Sequence, residues 1–339
     1  MNISHIILAK NQSQIILSDQ FYLEIGSTWT FDSIYLFVIS PLSFISVLLN
    51  LFSIKLINNI KIRNKNKNLY KFFKIYLTNS SILCFIGLFS FYTYSPRYFD
   101  FAISYSARIY RCIIYNSIAT LSYFYSNILD IFIILERLTV FIEKLKRFKN
   151  WSPYKISLIT LFGCVIVNSP VFLWNYIKSD EEFYQGASNL ETFTYCGRTD
   201  FVNSRLGFIL SSISLVLRDL ITLIFEIVLN IFTTIYYNKF IKKKLELSIS
   251  NNTQNNVIVP AEIRLFFTTI IMSLISLLCH IFSSISTFVL INHDLDTVLI
   301  YSIILVSISS AVFKQSSNFF IFLIFDSNFR SSLIKYFKN

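Results

Sequence analysis

The feature that most constrains this chain of 339 residues is a series of apolar runs, each long enough to cross a lipid bilayer. A spanning helix needs roughly 20 predominantly apolar residues. Seven such runs lie at about 33–57, 72–93, 110–135, 154–176, 208–237, 263–291 and 297–324. Only 14% of the residues are charged and 54% are hydrophobic, which excludes soluble enzymes and nucleic-acid-binding modules. The sequence predicts an all-α membrane protein with a seven-transmembrane helix bundle.

Basic residues predict which side of the membrane each loop occupies. The net charge of +11 is concentrated in the loops 61–74, 137–155 and 239–264 and in the tail from Arg330. Because cytosolic loops retain an excess of Lys and Arg, the N-terminus is expected outside the cell and the C-terminus in the cytosol. The same loops would attract anionic membrane lipid. We therefore expect a multi-pass protein of the plasma membrane.

The first 31 residues contain no charged segment followed by an apolar core and a small-residue cleavage site, so no signal peptide is predicted. Residues 1–32 are interpreted as a retained extracellular segment. It contains two Asn-x-Ser sequons, at Asn2 and Asn11, which are the expected glycosylation sites.

The third run carries the most specific motif. It ends in Glu136-Arg137-Leu138, and Cys112 lies 25 residues before Arg137. Both the acidic-Arg pair and this separation resemble the third span of rhodopsin-like (class A) G-protein-coupled receptors, which also have seven helices and an extracellular N-terminus. Leu138 stands where most members of that family have tyrosine.

Further landmarks recur at the family's spacing although individual residues differ. Cys279-His280-Ile281-Phe282 occupies the place of Cys-Trp-x-Pro, and Asn318 and Phe322 occupy the ends of the helix-seven switch Asn-Pro-x-x-Tyr. Asn50 matches the asparagine that connects helices one, two and seven in the family. A short amphipathic eighth helix is expected from about Phe329. The resemblance extends from Asn50 to Arg330 and is closest to divergent invertebrate chemoreceptor-type or orphan members.

The resemblance implies roles for specific residues. Cys112 is expected to form a disulfide with Cys196 in the loop 177–205, and two free thiols are the alternative. Arg137 is expected to contact the G protein when released and to be held at rest by Glu262; an ordinary basic residue near the cytosol is the alternative. Two departures are the missing prolines at Phe282 and Phe319, which in relatives kink helices six and seven.

Five charged residues lie inside predicted spans, where a charge at mid-bilayer costs about 2.5 to 3.5 kcal/mol. They are Asp130, Arg218, Asp219, Glu226 and Lys314. We expect an intramembrane polar network that includes an ion pair between Lys314 and Asp130, with the ammonium in the place of the sodium ion bound by relatives. Separate contacts of each with backbone or water are the alternative. Asn50 and Asn79 belong to the same expected network.

A candidate ligand pocket follows from the alignment of spans three, five and six with the family. Ala119 stands where amine receptors have aspartate, and Val312 stands where photopigments have their retinal-binding lysine, so neither function is expected. His280 is interpreted as a neutral interior histidine, with a proton-sensitive switch as the alternative. For Glu226 helix packing is favoured. The expected pocket residues are Asn116, Ala119, Thr120, Tyr123, Arg218, Asp219 and His280.

The sequence therefore predicts a receptor that transduces the binding of an extracellular ligand, a small chemical cue or a peptide, to a heterotrimeric G protein. The seven-transmembrane domain would comprise 33–325 and the cytoplasmic tail with helix eight 326–339. No catalytic motif is recognised, and the three histidines are too far apart in sequence to suggest a metal site. No cofactor and no nucleic-acid partner are expected. The alternative is a seven-span ligand-gated channel or transporter.

Overall fold

A computed structural model describes most of the chain. The described residues are 33–60, 67–89, 104–142, 145, 151–177, 179, 196–250, 259–291 and 297–338. They are mainly helical. In chain order the principal helices are α1 (Ser40–Asn59), α2 (Lys67–Leu88), α3 (Ala119–Phe141), α4 (Pro153–Phe172), α5 (Thr222–Ser250), α6 (Val259–Ile291), α7 (Thr297–Phe325) and α8 (Ser327–Lys338).

Wider π-helical turns precede three of these helices. Tyr35–Ile39 leads into α1, Tyr110–Ile118 leads into α3 and Val216–Ile221 leads into α5. Two of the π-helical segments are themselves preceded by α-helix, at Tyr105–Ile109 and Arg205–Leu215. Such turns change which side chains share a helix face.

Five helical stretches are long and apolar enough to cross a membrane, which indicates a multi-pass membrane protein. They are Leu36–Asn59, Tyr105–Thr139, Pro153–Phe172, Arg205–Lys242 and Leu305–Phe325. Helix α2 is less apolar because Lys67, Lys71 and Lys74 occupy its first turns. Helix α6 contributes a shorter apolar stretch, Ile270–Ser286. The count of seven spans stays a prediction.

Burial in α4 is arranged for a lipid environment. Leu158, Ile159 and Phe162 are 69%, 72% and 69% exposed, whereas Ser157 and Asn168 of the same helix are buried. A helix in water shows the opposite arrangement. In lipid the apolar side chains lose nothing by facing outward, and small polar residues pack against neighbouring helices.

The chain divides into two compact units. The first contains the described residues within Met1–Ser43, Phe85–Leu121 and Asn168–Ser214. Its two strands, β1 (Asn175–Ile177) and β2 (Cys196–Arg198), form an antiparallel pair with Tyr176 opposite Gly197. After α4, Trp174 Nε1 donates a hydrogen bond of 2.6 Å to Ser211 Oγ, which fixes the approach to β1.

The second unit contains the described residues within Phe44–Cys84, Ser122–Val167 and Leu215–Asn339. Among the residues that the structure describes, helices α6 and α7 make the most extensive contact between elements. Helix α8 packs against α1, where Ser332 Oγ donates to the Leu56 carbonyl at 3.1 Å. Aromatic side chains join α2, α7 and α8: the rings of Phe73 and Phe322 have centroids 4.8 Å apart, and those of Phe322 and Phe329 are 5.6 Å apart.

Candidate functional site

A disulfide fastens the strand pair to the helix that leads into α3. Cys112 and Cys196 are bonded, with their Cα atoms 5.6 Å apart. Cys112 lies in the π-helical segment and Cys196 begins β2, so the bond connects residues 84 positions apart. The expected pairing is confirmed, and the alternative of two free thiols is excluded.

Arg108 also stabilises this region, and its contacts were not predicted from the sequence. Its side chain is almost fully buried, Nη1 donates to the Ser179 carbonyl at 3.1 Å, and the guanidinium lies 5.2 Å from the Tyr105 ring centroid. From sequence alone, an arginine at this position is expected to be a surface charge, because its partner Ser179 is 71 residues away.

Three expected pocket residues belong to this first unit. Asn116 Nδ2 lies 4.0 Å from Cys196 Sγ, and Thr120 Oγ1 donates to the Asn116 carbonyl. Ala119 is half-buried. The remaining four, Tyr123, Arg218, Asp219 and His280, belong to the second unit. A ligand pocket made by all seven residues stays a prediction.

The second unit contains the expected ion pair between α3 and α7. Lys314 Nζ lies 2.6 Å from Asp130 Oδ2, and it also donates to Asn127 Oδ1 at 3.1 Å. The lysine is 2% exposed and the aspartate 5%. Each charge therefore has a charged partner as well as a hydrogen-bonding partner inside the bundle, which a buried ion requires.

A chain of hydrogen bonds continues from this pair into α6 and α5. Ser276 Oγ lies 2.8 Å from Asp130 Oδ2 and 3.2 Å from Glu226 Oε1. Glu226 Oε2 in turn lies 3.5 Å from His280 Nδ1, and His280 Nε2 lies 3.1 Å from Thr222 Oγ1. All of these side chains are buried.

The charged residues at the start of the α5 region pair with each other. Arg218 Nε and Nη2 donate to the two carboxylate oxygens of Asp219 at 2.9 Å and 2.7 Å. Tyr123 of α3 lies beside the network, with its ring centroid 6.4 Å from that of His280 and 6.0 Å from Lys314 Nζ. Four of the expected pocket residues thus adjoin the buried polar chain.

Asparagines expected in the network differ in what they contact. Asn79 Nδ2 donates to the Ser122 carbonyl at 2.8 Å and so connects α2 with α3. Asn50 is fully buried, yet its amide has no hydrogen-bond partner among the described residues. The expected Asn50 hydrogen bonds to helices two and seven are therefore not formed here. Instead Ser80 of α2 donates to Gln315 Oε1 of α7.

The far end of α3 carries Glu136 and Arg137, both buried. The Arg137 guanidinium interacts electrostatically with Tyr70, Asp326 and Glu136. The carboxylate expected for it, Glu262, lies on α6, but the side chain of Glu262 is outside the described residues. The Arg137 contact with Glu262 thus stays a prediction, while Asp326 supplies a nearby negative charge that the sequence analysis missed.

Asp326 joins three elements through its two carboxylate oxygens. Oδ1 accepts the backbone N–H groups of Asn328 and Phe329 at 2.9 Å and 3.3 Å, which caps the N-terminus of α8. Oδ2 accepts the hydroxyl of Tyr70 at 2.7 Å. An aspartate directly before an amphipathic stretch is a helix-start signal, so the cap was detectable from sequence; the Tyr70 contact was not.

Tyr70 lies on the first turn of α2, before the predicted start of span two. Burial, followed by the negative charge of Asp326, raises the pKa of its hydroxyl. The phenol consequently stays protonated at neutral pH and remains a hydrogen-bond donor to Asp326.

The helix-seven switch residues lie in the same end of the second unit. Asn318 is buried, and its Nδ2 donates to the Gln315 carbonyl at 3.2 Å. Phe322 is fully buried between Phe73 and Phe329. The ring of Phe322 is therefore packed into an aromatic cluster with one ring from α2 and one from α8.

The expected glycosylation sites Asn2 and Asn11 lie outside the described residues. Within the part of the chain that the structure describes, no three His, Cys, Asp or Glu side chains converge as a metal site. No protein-family model and no curated protein matches this sequence.

Proposed function

We propose that this chain is a G-protein-coupled receptor of the plasma membrane, with the N-terminus outside and the C-terminus in the cytosol. The observation that carries the proposal is Arg137, buried at the end of α3 in the electrostatic field of Tyr70, Asp326 and Glu136. A permanently charged guanidinium held inside a bundle by nearby acidic groups is a group that a conformational change can release.

Asp326 is the residue through which release would occur. Its position between α7 and α8 means that a displacement of the end of α7 withdraws negative charge from Arg137 and loosens Tyr70 at once. The uncompensated guanidinium then becomes available to a carboxylate or backbone carbonyl of a G protein. Asp326 thereby takes the restraining role that the family resemblance assigns to Glu262, or shares it.

The opposite end of the same helical run supports the orientation. The disulfide between Cys112 and Cys196 requires an oxidising compartment, which the outside of the cell provides. One of the basic loops, 137–155, begins at Arg137, which is therefore expected on the cytosolic side. A ligand, either a small chemical cue or a peptide, would act on Tyr123, Arg218, Asp219 and His280.

Basal nucleotide exchange tests this function without a known ligand. Membranes containing the full chain are mixed with a panel of heterotrimeric G proteins, and binding of a non-hydrolysable GTP analogue is measured. We expect Asp326→Asn to raise basal exchange several-fold on at least one G protein and Arg137→Ala to abolish it. Lys335→Ala, at an exposed site on α8, is the matched control. Equal rates for all variants at equal surface expression would contradict the proposal.

A second function is favoured by one observation. Buried side chains form a continuous hydrogen-bonded path that contains several titratable groups, as in proton-coupled transporters. In the order of their contacts they are Lys314, Asp130, Ser276, Glu226 and His280. Proteoliposomes containing a pH-sensitive dye discriminate the two functions. A proton flux that Lys314→Met eliminates would favour a channel or transporter, and the absence of flux favours the receptor.

A further inference from the structure

Two ion pairs account for four of the charged groups in the buried core of the second unit. Asp130 pairs with Lys314 at 2.6 Å, and Arg218 pairs with Asp219 at 2.7 Å. Each pair is electrically neutral. Neither pair therefore contributes a net charge to the groups beside it.

Glu226 and His280 follow Ser276 in the same hydrogen-bonded chain, and they face each other. Their side chains are both 0% exposed, and His280 Nδ1 lies 3.5 Å from Glu226 Oε2. An ionised Glu226 beside a neutral His280 would leave one uncompensated negative charge in the membrane interior, at a cost of several kcal/mol. The pair must therefore hold one proton beyond the single N–H of a neutral imidazole.

Hydrogen-bond donors fix the tautomer of His280. The only hydroxyl hydrogen of Thr222 is donated to a backbone carbonyl of the preceding turn, that of Arg218. Thr222 Oγ1 can then only accept from His280 Nε2, at 3.1 Å. Nε2 consequently carries a hydrogen, and Nδ1 is the nitrogen that can share the extra proton with Glu226.

Ser276 indicates where the extra proton rests. Its single hydrogen cannot serve both Asp130 Oδ2 at 2.8 Å and Glu226 Oε1 at 3.2 Å. Asp130 is closer and is ionised opposite Lys314, so Ser276 donates to it. Glu226 can then form its own hydrogen bond to Ser276 only by donating. A carboxyl group donates only in its protonated form.

We propose that Glu226 and His280 form a proton-binding site in the bundle core, with one proton resting on Glu226 as a neutral carboxylic acid. His280 is the neutral Nε2–H tautomer. This inference goes beyond the receptor function and does not depend on it. The other titratable groups around the site are Tyr76, Tyr123, Asp130, Arg218, Asp219 and Lys314.

The site can also pass its proton across the helix interface. In the resting state the hydrogen is on Glu226 Oε1, toward Ser276, whereas Oε2 faces His280 Nδ1 at 3.5 Å. If α5 and α6 approach and the carboxyl group rotates so that its O–H points at Nδ1, the hydrogen bond to Ser276 and the O–H bond of Glu226 break and an N–H bond forms at His280 Nδ1. The products are a glutamate and an imidazolium, and no other proton donor is needed. A movement of α6 would thus be coupled to a change in charge separation.

Infrared spectroscopy of the full chain in lipid nanodiscs tests the resting state. We expect a C=O stretching band of a protonated carboxyl at neutral pH that is lost in Glu226→Gln and retained in Asp200→Asn, a control at an exposed carboxylate. In His280→Gln the band should persist, because no cation is then available to neutralise Glu226. This second variant keeps the test valid if Glu226→Gln does not fold.

Nuclear magnetic resonance of the imidazole provides the independent check. The chain has three histidines, so His5→Gln and His293→Gln leave His280 as the single ¹⁵N-labelled ring. We expect the signal of a neutral ring that carries its hydrogen on Nε2 at neutral pH. An imidazolium signal at neutral pH, or a carboxyl band that appears only after His280→Gln, would overturn the proposal.

Discussion

Buried charges in this bundle are tolerated where an opposite charge lies beside them. Asp130 and Lys314 illustrate this: the lysine also donates to Asn127, and the aspartate accepts from Ser276. Removal of one ion leaves the other buried without compensation, whereas removal of both leaves neutral groups that still pack. The energetic cost therefore resides in the unmatched charge rather than in the absence of the pair.

This argument predicts the behaviour of neutral variants. Asp130→Asn and Lys314→Gln should each destabilise the protein by about 3 to 5 kcal/mol. The double variant should recover part of that loss, because it leaves no buried ion. Thermal unfolding in detergent and the amount of protein at the cell surface are the measurements. Lys335→Gln, exposed on α8, is the control; a double variant worse than both single variants would refute the argument.

Some contacts of individual residues could be predicted from the sequence, and others could not. The family resemblance carried by the spacing of Cys112 and Arg137 implied the disulfide. The rarity of charges in apolar runs, together with the alignment to that family, led to the hypothesis of a Lys314 contact with Asp130, beside the alternative of separate contacts. Ser276 could not be predicted in this way, because serine is common in these helices and its role depends on helix rotation. Asp326 was not predicted as a neighbour of Arg137, because the resemblance to the receptor family implied a carboxylate on helix six, Glu262.

The helix Arg205–Leu215 begins with a close contact between Gly207 in its first turn and the preceding backbone. Ser204 Oγ accepts the backbone N–H of Gly207 at 2.9 Å, and a Cβ at Gly207 would lie 1.7 Å from the Phe201 carbonyl oxygen. The Phe201 carbonyl belongs to the backbone, which moves aside less easily than the end of a flexible side chain. Gly163 of α4 contrasts with it, because a Cβ there meets no atom within 4 Å.

These two glycines provide a matched pair of variants. Gly207→Ala should destabilise the first unit by about 3 kcal/mol, because the turn must move to accommodate the methyl group. Gly163→Ala should be neutral or stabilising by up to about 1 kcal/mol, since alanine favours the helix. Thermal unfolding midpoints of the purified proteins decide the matter. Equal midpoints for the two variants would show that the turn is not constrained as described.

The start of helix α8 depends on Asp326, because Oδ1 of this residue caps the helix. Asp326→Ala should cost about 1 to 2 kcal/mol through loss of the cap. Asp326→Asn can still accept the backbone N–H groups and should cost less. Tyr70→Phe leaves the cap intact but removes the hydrogen bond to Oδ2. Amide hydrogen exchange of 327–338 should therefore accelerate in Asp326→Ala and remain near wild type in Tyr70→Phe; the reverse order would contradict the assigned roles.

For the whole molecule, helix existence was easier to predict than helix geometry. The apolar runs correctly indicated a multi-pass helical protein, since run length is a direct consequence of bilayer thickness. The π-helical turns at Tyr110–Ile118 and Val216–Ile221 were not predicted. Each changes the angular position of later residues such as Glu226, and hydrophobic periodicity assumes a constant 3.6 residues per turn.

Orientation is the property of the whole molecule on which the proposed function depends. If the basic loops are cytosolic, an epitope placed before Met1 should be stained in intact cells and one placed after Asn339 only after permeabilisation.

A membrane-impermeant reductant applied to intact cells should also open the bond between Cys112 and Cys196, detected by labelling of both thiols; Cys112→Ser, which has no such bond, is the control. Staining of the C-terminal epitope in intact cells would reverse the orientation. Arg137 would then face the outside, where no G protein is present, and the channel or transporter alternative would be favoured.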